Sequence, residues 1–129
     1  MTFGLSSQSR AKMNGVHRDL VRIVERAIKI TEVDFRVLEG MRTLTRQKQL
    51  VAAGASKTLN SRHLTGHAVD LVALVGGKVR WDWPLYPKIA AAMKQAALEL
   101  KVPLEWGGDW KSFKDGPHFQ LPFAAYPKA

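Results

Sequence analysis

Two short stretches of the chain concentrate side chains that can bind a metal or move a proton. Ser61-Arg62-His63-Leu64-Thr65-Gly66-His67-Ala68-Val69-Asp70 brings two imidazoles, a hydroxyl and a carboxylate into ten residues. Asp115-Gly116-Pro117-His118 pairs another carboxylate with another imidazole. Zinc accepts imidazole nitrogen and carboxylate oxygen, and a catalytic zinc keeps one position open for water. His63, Asp70 and His118 supply such a ligand set. If residues 67–74 are extended, Ala68, Asp70 and Val72 share one face and His67 points the other way. Pairing His63 with His67 on one metal would need a helix. Gly66 and the β-rich run that follows argue against one, so His67 is set aside. For His63 and Asp70 alone, a loop hydrogen bond without metal would be the better reading; His118 changes that.

Asp115 precedes His118 by three residues, across a Gly-Pro turn. It is spaced to sit beside a metal without binding it, where it could take a proton from water and pass it to a leaving amine. Its alternative role is a turn cap. Arg42 follows Gly40 at the end of a predicted strand, and a fixed guanidinium there could stabilise an oxyanion; a surface salt bridge is the competing role. Ser61 either orients a substrate or holds the His63 loop. Most of the four tryptophans are expected in the core, but Trp106 and Trp110, beside Gly107-Gly108, could wall a cleft. His17 lies alone in a helical stretch and reads as filler.

These side chains need elements to position them. Residues 6–30 read as one helix, capped by Ser7 or Ser9, with Val16, Leu20, Ile23, Val24, Ala27 and Ile28 on one stripe. Residues 33–41 alternate as a strand. Thr43 or Thr45 opens a short helix that Gly54 stops. Residues 55–65 read as a polar loop, and 66–75 as a strand. Gly76-Gly77 predicts a turn into a short partner at 78–81. Residues 85–101 form a second long helix. Short strands are predicted near 102–106 and at 118–121, with 111–117 a loop. The plan is α+β: a small antiparallel sheet flanked by two long helices and one short helix.

The 129 residues suit a single domain spanning 1–129. The absence of cysteine excludes disulfides and thiolate zinc sites, so a metal must be held by His and carboxylate. Twenty Lys and Arg against 11 Asp and Glu give a formal charge of +9, which favours a polyanionic partner, whether nucleic acid, anionic lipid surface or anionic cell wall, and composition does not choose among them. The basic residues are spread through helices rather than set among stacking aromatics, so nucleic acid is not expected as a partner. The first residues lack the basic start and apolar core of a signal peptide, and no apolar run is long enough to span a membrane.

Ser61-x-His63-x-x-Gly66-x-Ala68-x-Asp70 with Asp115-x-x-His118-Phe119 resembles the zinc peptidases of the D-Ala-D-Ala carboxypeptidase (VanY/VanX-like) and L-alanyl-D-glutamate peptidase family. Glu39-Gly40-Met41-Arg42-Thr43 with Gln47, and Trp106-Gly107-Gly108-Asp109-Trp110, resemble two further segments of that family. The resemblance spans roughly Val37 to Leu121. It implies the hedgehog/DD-peptidase fold, Zn2+ held by His63, Asp70 and His118, Asp115 as acid/base, and Arg42 steadying the carbonyl oxygen. Ser61, Gln47 and Trp106 are expected to meet substrate. The Asp-x-x-His form is similar to the L-alanyl-D-glutamate endopeptidases of phage endolysins and some autolysins; the carboxypeptidase branch carries Glu-x-x-His. The resemblance thus implies a monomeric endolysin, made in the host cytoplasm, released through a holin and acting on the peptide stems of peptidoglycan. A D-alanyl-D-alanine carboxypeptidase of the same chemistry and a non-catalytic basic wall- or nucleic-acid-binding module are the rivals.

Overall fold

The computed structural model describes residues 3–56, 61–112 and 114–127. Helix α1 (Ser7–Lys12) begins where Ser6 Oγ accepts from the Ser9 amide at 3.0 Å. It ends at Met13, and the chain turns through Gly15, whose φ is +87°. Helix α2 (Arg18–Ile30) then starts with His17 as its cap, the ring Nδ1 accepting from the Asp19 amide at 3.0 Å. The expected single helix over 6–30 is therefore two, and Ser6, not Ser7 or Ser9, is the first cap. Met13 and Val16 on either side of the break are both buried, so the inward apolar spacing runs through it and hides it. Leu20, Ile23, Val24, Ala27 and Ile28 form the buried stripe of α2.

Strand β1 (Asp34–Glu39) pairs antiparallel with β2 (Ala68–Val75), and β2 turns through Gly76-Gly77 into β3 (Lys78–Arg80). Helix α3 (Leu44–Ala52) lies between β1 and β2 in the chain and is capped by Thr43. Helix α4 (Leu85–Leu100) follows β3, then come β4 (Glu105–Trp106) and β5 (His118–Gln120). The sheet runs β1-β2-β5-β4, with β3 on the far end of β2. All its pairings are antiparallel. The α+β plan holds, with four α-helices among the described residues rather than three, because α1 stands apart from α2. The expected loop at 55–65 ends in a 3-10 turn, Arg62–Thr65; residues 57–60 of it, and Phe113 of the loop at 111–117, lie outside the described residues.

Alternation along β2 gives the sheet two unlike faces. Val69, Leu71 and Ala73 join the core that α2 and α4 cover, with Ile89, Met93 and Phe119. Asp70 points to the opposite face, where it lines a cleft. Burying the Leu, Ile, Val and Phe side chains stabilises the fold by roughly 1.5–3 kcal/mol each before entropy is counted. The apolar ladder thus holds a polar row rigidly on its reverse.

The β1–β2 register slips between Val37 and Glu39: Val37 faces Leu71, but Glu39 faces Asp70. Leu38 is the extra residue of a bulge, a device that re-aims side chains beside functional sites. Ser9 Oγ accepts from the Val37 amide at 3.0 Å, so α1 buttresses the strand at this irregularity.

Candidate metal centre and its cleft

Register builds the site. Asp70 of β2 stands opposite His118 of β5 on one side and Glu39 of β1 on the other. His63 comes from the 3-10 turn. Its position is fixed from two sides: Ser61 Oγ accepts from the His63 amide at 3.2 Å, and the Arg42 amide donates to the His63 carbonyl at 2.9 Å. Gly66 closes the turn with φ of +74°, and a Cβ there would stand 2.3 Å from the Gly15 carbonyl oxygen. No other residue type fits both the angle and the space.

His63 Nε2 and His118 Nδ1 each lie 3.3 Å from Asp70 Oδ1. One ligand atom from each of the three residues falls within 4.8 Å of the others. The remote ring nitrogens face acceptors. His63 Nδ1 donates to the Gly40 carbonyl at 2.8 Å. His118 Nε2 donates to Gln120 Oε1 at 2.8 Å, and Gln120 Nε2 donates to Glu105 Oε2 at 3.1 Å, which fixes the amide's orientation. A neutral imidazole that spends its proton outward presents a lone pair inward. Two such lone pairs and a carboxylate converge on one point. That donor set fits a divalent cation of the zinc type, and the outward hydrogen bonds are those that orient metal-binding histidines.

Electrostatics agree with a site built for positive charge. Burial alone raises the Asp70 carboxyl, but hydrogen bonds from His118 and His63 and their charge outweigh it and hold the group well below the usual carboxylate range. Burial lowers His118, and the Asp70 hydrogen bond and charge, with Gln120 and Asp115, reverse that and raise it.

An open cleft of about 1010 Å³ lies over this row. Asp115 lines it. Its amide donates to the Gly107 carbonyl at 3.0 Å, and its own carbonyl accepts from the His118 amide at 3.1 Å. A Cβ on Gly107 would stand 2.4 Å from the Asp115 carbonyl oxygen and 3.1 Å from His118 Cβ, so the two loops meet where only glycine fits. The Asp115 side chain opens to the cleft, yet the protein on its other sides withdraws water and raises its carboxyl. The Asp70 charge adds to that rise, and His118, His63 and Arg42 oppose it.

Arg42 forms part of the cleft wall rather than an outer surface pair. Glu39 accepts from its Nε at 2.5 Å and its Nη2 at 3.0 Å; Gln47 Oε1 accepts from Nη1 at 2.6 Å. Its Nη2 lies 3.9 Å from Asp70 Oδ2.

Ser61 lines the cleft as well as capping the turn. Gln47 does not reach the cleft: it is fully buried behind Arg42, and its Nε2 donates to Ser56 Oγ at 2.8 Å. Trp106 lies in the core, its indole N–H donating to the Gly116 carbonyl at 2.7 Å, so it supports the Asp115–His118 turn from behind. Trp110 is the tryptophan that lines the cleft, its ring 5.2 Å from the His118 ring. Trp81 and Trp83, expected in the core, are 61% and 46% exposed. His67 stays apart from the cluster, its Nδ1 within 2.6 Å of Thr65 Oγ1. Glu39, Glu105 and Gln120 were not anticipated. Gln120 carried a signal, since it lies two residues beyond His118 on the same strand face.

The profile described as Phage L-alanyl-D-glutamate peptidase matches residues 1–121. The chain belongs to that family. Among members of the L-alanyl-D-glutamate peptidases, the protein of Escherichia phage T5 is 30% identical over 119 residues, covering 89% of this chain and 87% of its own. That of Listeria phage A118 is 33% identical over 129 residues, covering 98% of this chain but 45% of its own. The crystal structure of Serratia marcescens L-Ala D-Glu endopeptidase ChiX is similar at 52% identity with a TM-score of 0.91, covering 94% of this chain and 91% of that one.

Proposed function

We propose that this chain is a zinc-dependent endopeptidase that hydrolyses the L-alanyl–D-glutamate bond of peptidoglycan peptide stems. The observation that carries the reading is the convergence of the His63 and His118 lone pairs on Asp70 beneath a cleft that Asp115 and Arg42 line, in a member of this family. A bound Zn2+ would supply Lewis acidity toward the scissile carbonyl and acidify a water. Asp115, whose carboxyl burial and the Asp70 charge raise above the ordinary value, takes a proton from the attacking water and delivers it to the amine as the C–N bond breaks. Arg42, clamped by Glu39 and Gln47, turns a fixed positive charge toward the oxygen on which negative charge develops. Ser61 at the cleft wall meets the stem directly, whereas Gln47 and Trp106 act through Arg42 and the Gly116 turn.

We assign the antiparallel sheet and its helices to the hedgehog/DD-peptidase architecture, and we take residues 1–129 as one peptidase domain acting as a monomer. The +9 charge suits an anionic cell envelope. No helix among the described residues is long and apolar enough to cross a membrane. The biological setting we favour is host lysis, with synthesis in the host cytoplasm and holin-mediated release to the wall.

Digestion of purified peptidoglycan tests the reading. New D-glutamyl amino termini, lost with a chelator and restored by zinc, are the expected result. Release of D-alanine instead would favour the carboxypeptidase, and no cleavage with the metal bound would leave a binding module.

A further inference from the structure

We infer that Lys114 is a specificity residue that binds the free carboxylate of the glutamate on the leaving side of the scissile bond. The inference rests on the peptidase reading above and deepens it. Glutamate has two carboxyl groups, and a peptide stem continues through one. Where it continues through the side-chain carboxyl, the free carboxylate hangs on the carbon that bears the leaving nitrogen. A group that reads it must therefore stand beside the group that protonates that nitrogen, which is Asp115.

Among the described residues, three side chains of Lys or Arg line the cleft: Arg42, Arg62 and Lys114. Arg42 is engaged by Glu39 and Gln47. Arg62 is buried and holds the C-terminal segment: its Nε and Nη2 donate to the Leu121 carbonyl and Nη2 also to the Tyr126 carbonyl, at 3.1, 2.9 and 2.6 Å. Its Nη1 is closed off from solvent, and Phe123 lies over the guanidinium at 4.1 Å. Lys114 is exposed and precedes Asp115 directly, and its ammonium has no hydrogen bond or ion pair among the described residues. Of these three described cations the fold thus uses two and leaves the third beside Asp115. The amide of Asp115, pinned to the Gly107 carbonyl at 3.0 Å, anchors the backbone from which Lys114 reaches. A lysine on a flexible stem reads a carboxylate as a point charge, so removing the charge from either partner removes the recognition.

Two synthetic stems that differ only at this group, free carboxylate against carboxamide, test the assignment. The zinc-loaded protein is expected to prefer the carboxylate by about tenfold in kcat/KM. In Lys114→Met the ratio falls to about one, and in Lys114→Arg it is kept. Calorimetric affinity for the amine-side product peptide follows the same order without any turnover. A ratio near one in the wild type, or an unchanged ratio in Lys114→Met, overturns the assignment while the peptidase reading stands. Cleavage of neither stem overturns that reading and the assignment with it.

Discussion

Glu39 and Arg42 form a two-pronged ion pair at the edge of the His63–Asp70–His118 cluster, with both carboxylate oxygens engaged and Asp70 3.9 Å from the same guanidinium. The bulge in β1 makes this possible, because it turns Glu39 to face Asp70 instead of leaving Leu38 there. A guanidinium held in this way cannot swing to neutralise Asp70. Glu39→Gln should free it. We expect kcat to fall by about tenfold, with one metal still bound per chain, because orientation rather than charge is lost. Steady-state kinetics beside metal analysis checks this; an unchanged kcat would refute the clamp.

Asp115 and Asp70 should separate chemistry from metal binding. Asp115→Asn is expected to lower hydrolysis by about 10²–10⁴-fold while keeping the metal. Asp70→Asn should lose the metal itself. Equilibrium dialysis of the two variants distinguishes them, and loss of metal from Asp115→Asn would move that residue into the ligand set.

Gln120 fixes the proton of His118 on the outward nitrogen. Gln120→Leu removes that acceptor and leaves Glu105 without its amide partner. Metal affinity should fall by about 10–100-fold, as measured by competition with a chromogenic chelator.

His67 bears on acid stability. Burial, then the charges of Arg62 and His17, hold its pKa below the ordinary histidine value, and Tyr126 and Thr65 complete its surroundings. The unfolded chain therefore binds a proton that the folded chain refuses. The stabilisation is whole above the unfolded pKa of about 6.5 and is lost as pH falls toward the folded value. Melting of the metal-loaded protein between pH 7 and 5 should show a shallower acid decline in His67→Gln than in the wild type. Parallel declines would remove His67 from the account.

Helix α4 ends on Lys101 at φ +59°, a left-handed residue where glycine is the usual choice. Lys101→Gly relieves the side-chain crowding but adds freedom to the unfolded chain. The net expectation is about 0.5–1 kcal/mol of added stability, read by urea denaturation. A destabilised variant would mean that the lysine side chain itself contributes there.

Residue type and strand phase were enough to gather His63, Asp70 and His118 and to set His67 aside, because side-chain direction in a strand follows from counting by two. The helices at 18–30 and 85–100 were legible from their apolar stripes. The break between α1 and α2 was not, since Met13 and Val16 keep the inward spacing through it. The β1 bulge left no mark in the sequence, and with it the Glu39–Arg42 pairing stayed hidden. Gln47 and Trp106 were legible as belonging to the site but not on which side of it they lie. That depends on packing between segments far apart in the chain.

The three candidate ligands come from separate parts of the molecule: the 3-10 turn, the central strand and the last strand. Asp70 and His118 alone are 48 residues apart. An ion bound between them would close that length of chain into a loop and cut the freedom of the unfolded state, as a disulfide does. The chain has no cysteine. Its cross-link would then be one that chelation opens and metal restores, so that folding and the capacity for catalysis would be withdrawn together.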